Sequence, residues 1–282
     1  MSRPAVLVTG AGGQLGSELR DLAGAYPFEF HFFDRETLPL DKPAALAEVF
    51  SRVRPAVCIN AAAYTAVDKA ESEEEQAYAV NATAAGEIAA QCHRHGALLI
   101  HVSTDYVFDG QGTRPYLETD PVDPLGVYGA SKLEGERLAM ENHDRVLIVR
   151  TSWVYSYYGK NFVKTMLRLL REKESIGVVA DQVGRPTYAA DLAAALLEMI
   201  GQPRYGVYHY ANAGAISWFE LASAVKEIID APCAVRPLTT AEYPTPAKRP
   251  AYSVLDTTKI ETDFGLRIPH WKDSLQRCLT RF

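Results

Sequence analysis

Tyr128 and Lys132 stand four residues apart in the run YGASK, separated by three small residues. At helical spacing a phenol and an ammonium so placed share one face. A phenol with its ordinary pKa of about 10 is a poor acid–base group at neutral pH, and a cation a few ångströms away favours the phenolate. The pair is therefore expected to give a proton to a carbonyl oxygen while the adjoining carbon is reduced, with Lys132 tuning Tyr128. Residues 129–131, all small, are expected to leave room beside the helix for a nicotinamide ring and its sugar. Upstream, VSTDYVFDG places Ser103 and Thr104 where an apolar run ends. A hydroxyl there can donate to the same oxygen and polarise it. Thr104 is favoured, though the run itself does not decide between the neighbours.

The hydride has to come from a cofactor, and TGAGGQLG offers a place for one. Gly10, Gly13 and Gly16 recur at intervals of three directly after the strand run AVLVTG (5–10). A strand turning sharply into a helix needs glycine where φ is positive and where a pyrophosphate approaches the backbone. The helix that follows, from about Gln14 and Leu15 to Leu22, presents free N–H groups and its positive dipole end to phosphates. The next strand ends in Asp34, an acid suited to ribose hydroxyls, and Arg35 beside it suits a 2′-phosphate. NADPH and NADH both stay open as the cofactor.

These residues need a scaffold, and the chain alternates strands with helices. EFHFFD (29–34), AVCINAAAY (56–64), ALLIHVSTDYVF (97–108) and VLIVRTSWVY (146–155) read as strands. Between them lie helical stretches at 41–54, 73–96 and from Tyr128, the first with Asp41 as N-cap and Pro43 in its first turn. Alternation of this kind implies crossover units and a parallel sheet covered on both faces. The fold class is α/β: a Rossmann-type doubly wound parallel sheet with a smaller, discontinuous C-terminal substrate lobe. Residues 1–155 make the dinucleotide-binding domain, with 187–212 returning to it as a helix and a strand. Residues 156–186 and 213–282 make the lobe, which holds the helix NFVKTMLRLLRE, the strand IGVVA and a Ser217–Glu220 capping box. A Pro-rich stretch and a terminal helix from about Trp271 complete it.

Composition narrows the function classes. A hydrophobic share of 48% and a charged share of 23% suit a soluble globular protein. A net charge of −6 without any basic run argues against nucleic-acid binding. No apolar run approaches a membrane span, and the first one is too short for a signal peptide. Cys58, Cys92, Cys233 and Cys278 form no metal pattern and read as reduced thiols of a cytoplasmic protein. The acidic run DKAESEEEQ reads as a solvated first helical turn.

VTGAGGQLG, NAAAYTAVDKAE, AVNATAAG, VSTDYVFDG, PLGVYGASKLEGE, RTSWVY, DQVGRPTYAADLA and SVLDTTKI together resemble the extended short-chain dehydrogenase/reductase family over nearly the whole chain. The resemblance implies hydride transfer from NADH or NADPH to the C4 keto group of a dTDP-sugar substrate. It implies that Thr104, Tyr128 and Lys132 are the catalytic set, Tyr128 the proton donor. It adds Asp41, the loop Ala61, Ala62, Ala63, Tyr64 and Thr65, and Asn81 to the cofactor contacts. Val67, Asp68, Tyr106, Trp153 and Arg249 join Thr104 and Tyr128 as substrate contacts, Trp153 against the sugar and Arg249 near the diphosphate. Some members dimerise through Mg²⁺ held by glutamates. Here Glu18 fits that pattern, but TYAADLA offers Asp191 where those members have two adjacent acids, so no metal is expected and a monomer or a homodimer remains open. Two alternatives also stay open: a nucleotide-sugar epimerase or reductase of the same family, and a non-catalytic nucleotide-binding regulatory subunit. The epimerase needs a further acid–base residue, and His101 reads as a packed core residue in the middle of its strand.

Overall fold

The computed structural model describes residues 3–202 and 204–282. Its strands of four or more residues are β1 (Ala5–Thr9), β2 (Glu29–Phe33), β3 (Val57–Asn60), β4 (Leu98–Thr104), β5 (Val146–Thr151), β6 (Ser175–Val179), β7 (Gly206–His209) and β8 (Ala234–Leu238). Six of these form one parallel sheet in the order β7-β5-β4-β3-β1-β2. From β1 the chain steps to β2 on one side, then crosses to β3 on the other. That reversal opens a crevice at the carboxyl ends of β1 and β3, where open α/β sheets bind ligands.

Side-chain alternation along each strand decides which layer it feeds. Val6 and Val8 of β1, Ile59 of β3, Ile100 of β4 and Leu147 and Val149 of β5 point into one core. α1 (Gln14–Leu22), α8 (Ala189–Met199) and α10 (Thr258–Phe264) cover that face. Leu7, Cys58, Leu99 and Ile148, one residue out of phase, point into the opposite core. There they meet α2 (Pro43–Val53), α5 (Ala84–His95) and α6 (Val127–Asn142). Each such buried aliphatic side chain contributes roughly 1.5–3 kcal/mol, which explains why the strands read as continuous apolar runs.

A third core joins Tyr155 and Tyr188 to α7 (Phe162–Glu172), α9 (Trp218–Ile228) and α11 (Trp271–Leu279). The Ser217–Glu220 capping box that starts α9 forms as expected. β6 pairs in parallel with β8. β8 carries no strand signal in the sequence, because Pro237 sits inside it; an edge strand tolerates that proline.

Three expectations need correction. Asp41 is not the N-cap of α2: Pro43 takes the first helical position, which leaves Lys42 as the cap. The helix expected over 73–96 is α4 (Glu74–Tyr78) and α5 joined by a π-helical turn at Ala79–Thr83. The strand expected over 146–155 breaks after Thr151, where Trp153 takes φ +48°, and resumes as a two-residue strand, Val154–Tyr155, paired with Thr187–Tyr188.

Candidate active site

Gly10 has φ +69°, and a Cβ there would lie 2.6 Å from the Ala62 amide nitrogen, so the turn out of β1 requires glycine twice over. Gly13 is the N-cap of α1 and has no side chain to bond the first helical N–H groups. Gly10, Gly13, Gln14 and Leu15 line a cleft of about 1020 Å³. Asp34, Arg35 and Asp41 line it too. A helix N-terminus left uncapped at one end of the cleft, with an acid and a guanidinium further along, fits a dinucleotide. Gly16 does not reach the cleft. A Cβ there would come 2.5 Å from the Ala11 Cα and the Gly10 oxygen, so it serves the close packing of α1 on the loop. Asp34 forms its own turn, accepting from the Glu36 and Thr37 N–H groups at 3.1 and 2.9 Å and from the Thr37 hydroxyl at 2.8 Å. The Thr37 backbone bond is the main reason its carboxyl stays below the usual range. Lys42 and Lys160 also line the cleft, and no motif had singled them out.

Ala61, Ala62, Ala63 and Thr65 line the cleft as expected; Tyr64 and Asn81 do not. Tyr64 is buried with its hydroxyl on Glu73. Its N–H donates to Asn81 Oδ1 at 2.8 Å, and Asn81 Nδ2 donates to the Tyr64 carbonyl and to Ser131 Oγ. Asn81 therefore fixes the loop and its distance from α6, and it does so from the π turn, a local widening common at functional sites.

α6 brings Tyr128 and Lys132 to the cleft wall on one face. Lys132 Nζ donates to the Val102 carbonyl at 2.7 Å and lies 3.4 Å from His101 Nε2. Burial lowers the ammonium to about 8, against the pull of Glu136 one turn on. Desolvation pushes Tyr128 up to about 12; the Thr104 hydroxyl pulls it down and the Asp105 charge pushes it further up. Lys132 is turned towards the sheet and does not set that balance. The small residues of YGASK also have another purpose. A Cβ on Gly129 would lie 2.1 Å from the Tyr106 carbonyl oxygen, and Ser131 is buried with its hydroxyl between Asn81 and the Tyr128 carbonyl. Gly129 and Ser131 let α6 approach its neighbours.

Ser103 lines the main cleft and Thr104 does not; their hydroxyls are engaged differently. Ser103 Oγ donates to Glu136 Oε1 at 2.5 Å, within a buried pair that Glu136 forms with Arg150. Thr104 Oγ1 accepts from the Tyr106 N–H and donates to Asp105 at 3.0 Å, beside Tyr128 and off the wall of the main cleft. Burial raises Asp105 to about 6, and one of its oxygens is buried without a partner. Its position in the middle of a polar run had hidden it. His101 is more than core packing: Thr9 Oγ1 donates to Asn60 Oδ1, Asn60 Nδ2 bonds His101 Nδ1, and the ring ends at Lys132.

Among the expected substrate contacts, Tyr106 lies edge-on to Tyr128 at 5.5 Å. Val67 opens α3 (Val67–Ala70), and Asp68 beside it takes both Arg249 nitrogens at 2.8 and 3.0 Å. The Arg249 bond is the main cause that lowers the Asp68 carboxyl. The Trp153 indole gives one face to Trp218, stacked at 3.5 Å, and Gly184 leaves it the space. Glu18 accepts from Ser156 and Arg281, and Asp191 accepts from Arg277, Ser274 and Asn212.

A parallel doubly wound sheet, a glycine turn at its switch point and a Tyr–Lys helix on the same cleft define a nucleotide-binding oxidoreductase scaffold. The family model described as the RmlD substrate binding domain matches residues 4–282, and the chain belongs to that family. It is 43% identical over 286 residues to the dTDP-4-dehydrorhamnose reductase of Aggregatibacter actinomycetemcomitans, covering 96% of this chain and 97% of that one. It is also 43% identical to the dTDP-4-dehydrorhamnose reductase of Escherichia coli K12, covering 97% and 96%. A crystal structure of the dTDP-4-dehydrorhamnose reductase of Bacillus anthracis in complex with NADP superposes with a TM-score of 0.97 at 40% identity, covering 99% and 100%. Among the described residues no helix is long and apolar enough to cross a membrane.

Proposed function

We propose that this chain reduces the C4 keto group of dTDP-4-dehydro-L-rhamnose to give dTDP-L-rhamnose, drawing on NADPH or NADH. The observation that carries the reading is that Tyr128 and Lys132 share one cleft wall with the glycine turn. The named relatives agree in activity, and the Bacillus anthracis structure holds NADP.

A nicotinamide bound in the cleft supplies the hydride. Gly10, Gly13, Gln14 and Leu15 receive its phosphates, while Asp34, Arg35 and Lys42 hold the adenosine end. Ala61, Ala62, Ala63 and Thr65 lie along it, and Lys132 holds its ribose. Tyr128 protonates the C4 oxygen, and a phenol raised to about 12 keeps that proton at neutral pH. Thr104 turns its hydroxyl from Asp105 to the same oxygen. The substrate lobe, drawn from 156–186 and 213–282 apart from α10, which packs on the sheet, closes over the sugar nucleotide with Arg249, while Val67, Asp68, Tyr106 and Trp153 complete the contact surface. The protein works in the cytoplasm as a monomer or homodimer.

The test is oxidation of NADPH and NADH with the dTDP-4-keto-6-deoxy sugar and its 3,5-epimerase. Wild type is expected to turn over, and Tyr128→Phe to lose about two or more orders of magnitude in kcat while still binding cofactor. A wild-type chain that binds the cofactor and never oxidises it with this sugar would end the proposal.

A further inference from the structure

The far end of α6 carries a group of side chains that the reaction does not use. His93 lies in the last turn of α5, His143 follows α6, and Asp144 is next in the chain. One nitrogen or oxygen of each lies within 4.8 Å of the other two, the one such trio of His, Cys, Asp or Glu found among the described residues. At about 1.5 Å per residue the trio lies ~22 Å along α6 from Tyr128.

His143 is buried, and its Nε2 lies 2.8 Å from the Ala97 carbonyl, an acceptor that requires the ring proton on Nε2. The Nδ1 lone pair is then free, and Nδ1 is buried with no hydrogen-bond partner. Asp144 Oδ1 stands 3.4 Å from it, so one acceptor faces another. A cation held between them would satisfy both. Arg145 does not fill the gap, because its guanidinium bonds the Gly96 carbonyl and the Tyr205 hydroxyl. The His93 ring lies edge-on to His143 with centroids 5.7 Å apart, and His93 is exposed and free to swing. An imidazole that donates through one nitrogen to a backbone carbonyl and offers the other is how histidine ligands are oriented. Ligand atoms about 3.3 Å apart are what tetrahedral bonds of ~2.0–2.1 Å require. The C-terminal ends of α5 and α6 converge here as well and add negative potential.

We propose that His93, His143 and Asp144 form a divalent transition-metal site of the Zn²⁺ class, with a fourth position left to water. Two imidazoles and one carboxylate select zinc, cobalt or nickel over magnesium. The ion would clamp the far ends of α5 and α6, whose near ends carry the Asn81 turn and Tyr128, and so act structurally.

The probe is Co²⁺ added to the full chain after chelator treatment. One equivalent is expected to give the visible absorption of a four- or five-coordinate ion, displaced by Zn²⁺. Zn²⁺, but not Mg²⁺, is expected to raise the melting temperature by several degrees. His93→Ala and Asp144→Ala alter exposed side chains and are expected to fold. Each should weaken the binding at least ~10-fold and abolish the thermal shift, with reductase turnover unchanged. Absence of the visible band at stoichiometric Co²⁺, equal affinity in both variants, or a thiolate charge-transfer band from the buried cysteines would each overturn the site.

Discussion

His101 Nε2 stands 3.4 Å from Lys132 Nζ, at the end of a hydrogen-bonded row that begins at Thr9 beside the glycine turn. The Ala62 N–H donates to Asn60 Oδ1, so the other amide edge, Nδ2, must donate to His101 Nδ1. The ring proton then sits on Nε2, and two donors face each other across the gap. Burial, chiefly, and the ammonium hold His101 neutral, while burial lowers Lys132 to about 8.

A lysine that titrates near 8 should shape the rate. If the ammonium holds the ribose as proposed, that hold is present below this pH and lost above it with the charge. The kcat/KM profile is expected to fall on its basic side with an apparent pKa near 8. Lys132→Arg, whatever its residual rate, should lose that limb, since guanidinium stays charged. A profile flat to pH 10 in wild type would rule this out.

Glu136 opposes the loss of that charge, being the one group that raises Lys132. It also pairs with the buried Arg150 at 2.7 Å and receives Ser103. Glu136→Gln leaves a buried guanidinium without its counter-charge, at a cost of about 3–5 kcal/mol. Denaturant titration should register that cost, and the basic limb should move to lower pH. Replacing Glu136 and Arg150 together with apolar residues should restore much of the stability.

Asp105 offers a test in which the sign is fixed. Its folded-state pKa of about 6 lies above its ordinary 3.8, so the folded chain holds the proton more tightly than the unfolded chain. Wild type therefore keeps this stabilisation below about pH 4 and loses it as the pH rises through 6, on the order of 2–3 kcal/mol in all. Asp105→Asn should gain on wild type across that window, whatever the constant offset between them. A stability difference independent of pH between 4 and 7 would refute the assignment.

Arg249 and Asp68 are part-exposed, with side chains 24% and 41% accessible. Breaking the pair should cost less than about 1 kcal/mol of folding stability. If Arg249 meets the sugar nucleotide, Arg249→Ala should raise its KM about tenfold or more and leave kcat nearly unchanged. Equal losses in kcat and kcat/KM would instead put the residue at the chemistry.

Gly129→Ala tests the packing role of the small residues. The new Cβ would press on the Tyr106 backbone oxygen, so α6 must shift, and Tyr128 with it. Both melting temperature and kcat should fall. Had these residues made room for the cofactor, only its KM would rise.

The sheet was legible because burial on two faces writes apolar runs, and the glycine turn because its backbone geometry excludes side chains. The Tyr128–Lys132 face followed from helical spacing alone. What escaped depends on contacts between segments far apart in the chain. Gly16, Tyr64 and Asn81 sit in the right motifs but lie behind the cleft wall, and only packing reveals that. The direction in which Lys132 turns depends on the Val102 carbonyl from another strand. Lys42, Lys160 and Asp105 carry no local pattern, since charge at a loop or strand end is common.

Trp153 and Trp218 lie face to face at 3.5 Å with their planes 10° apart, one just after β5 and the other at the start of α9. Two stacked chromophores that close share their excited state, and where their transition dipoles are skewed about the stacking axis the circular-dichroism band splits into a couplet of opposite signs. The third tryptophan, Trp271, stands on another helix. The chain thus contains its own optical gauge: loss of the couplet on adding a sugar nucleotide would mark the moment the two indoles part, without any label.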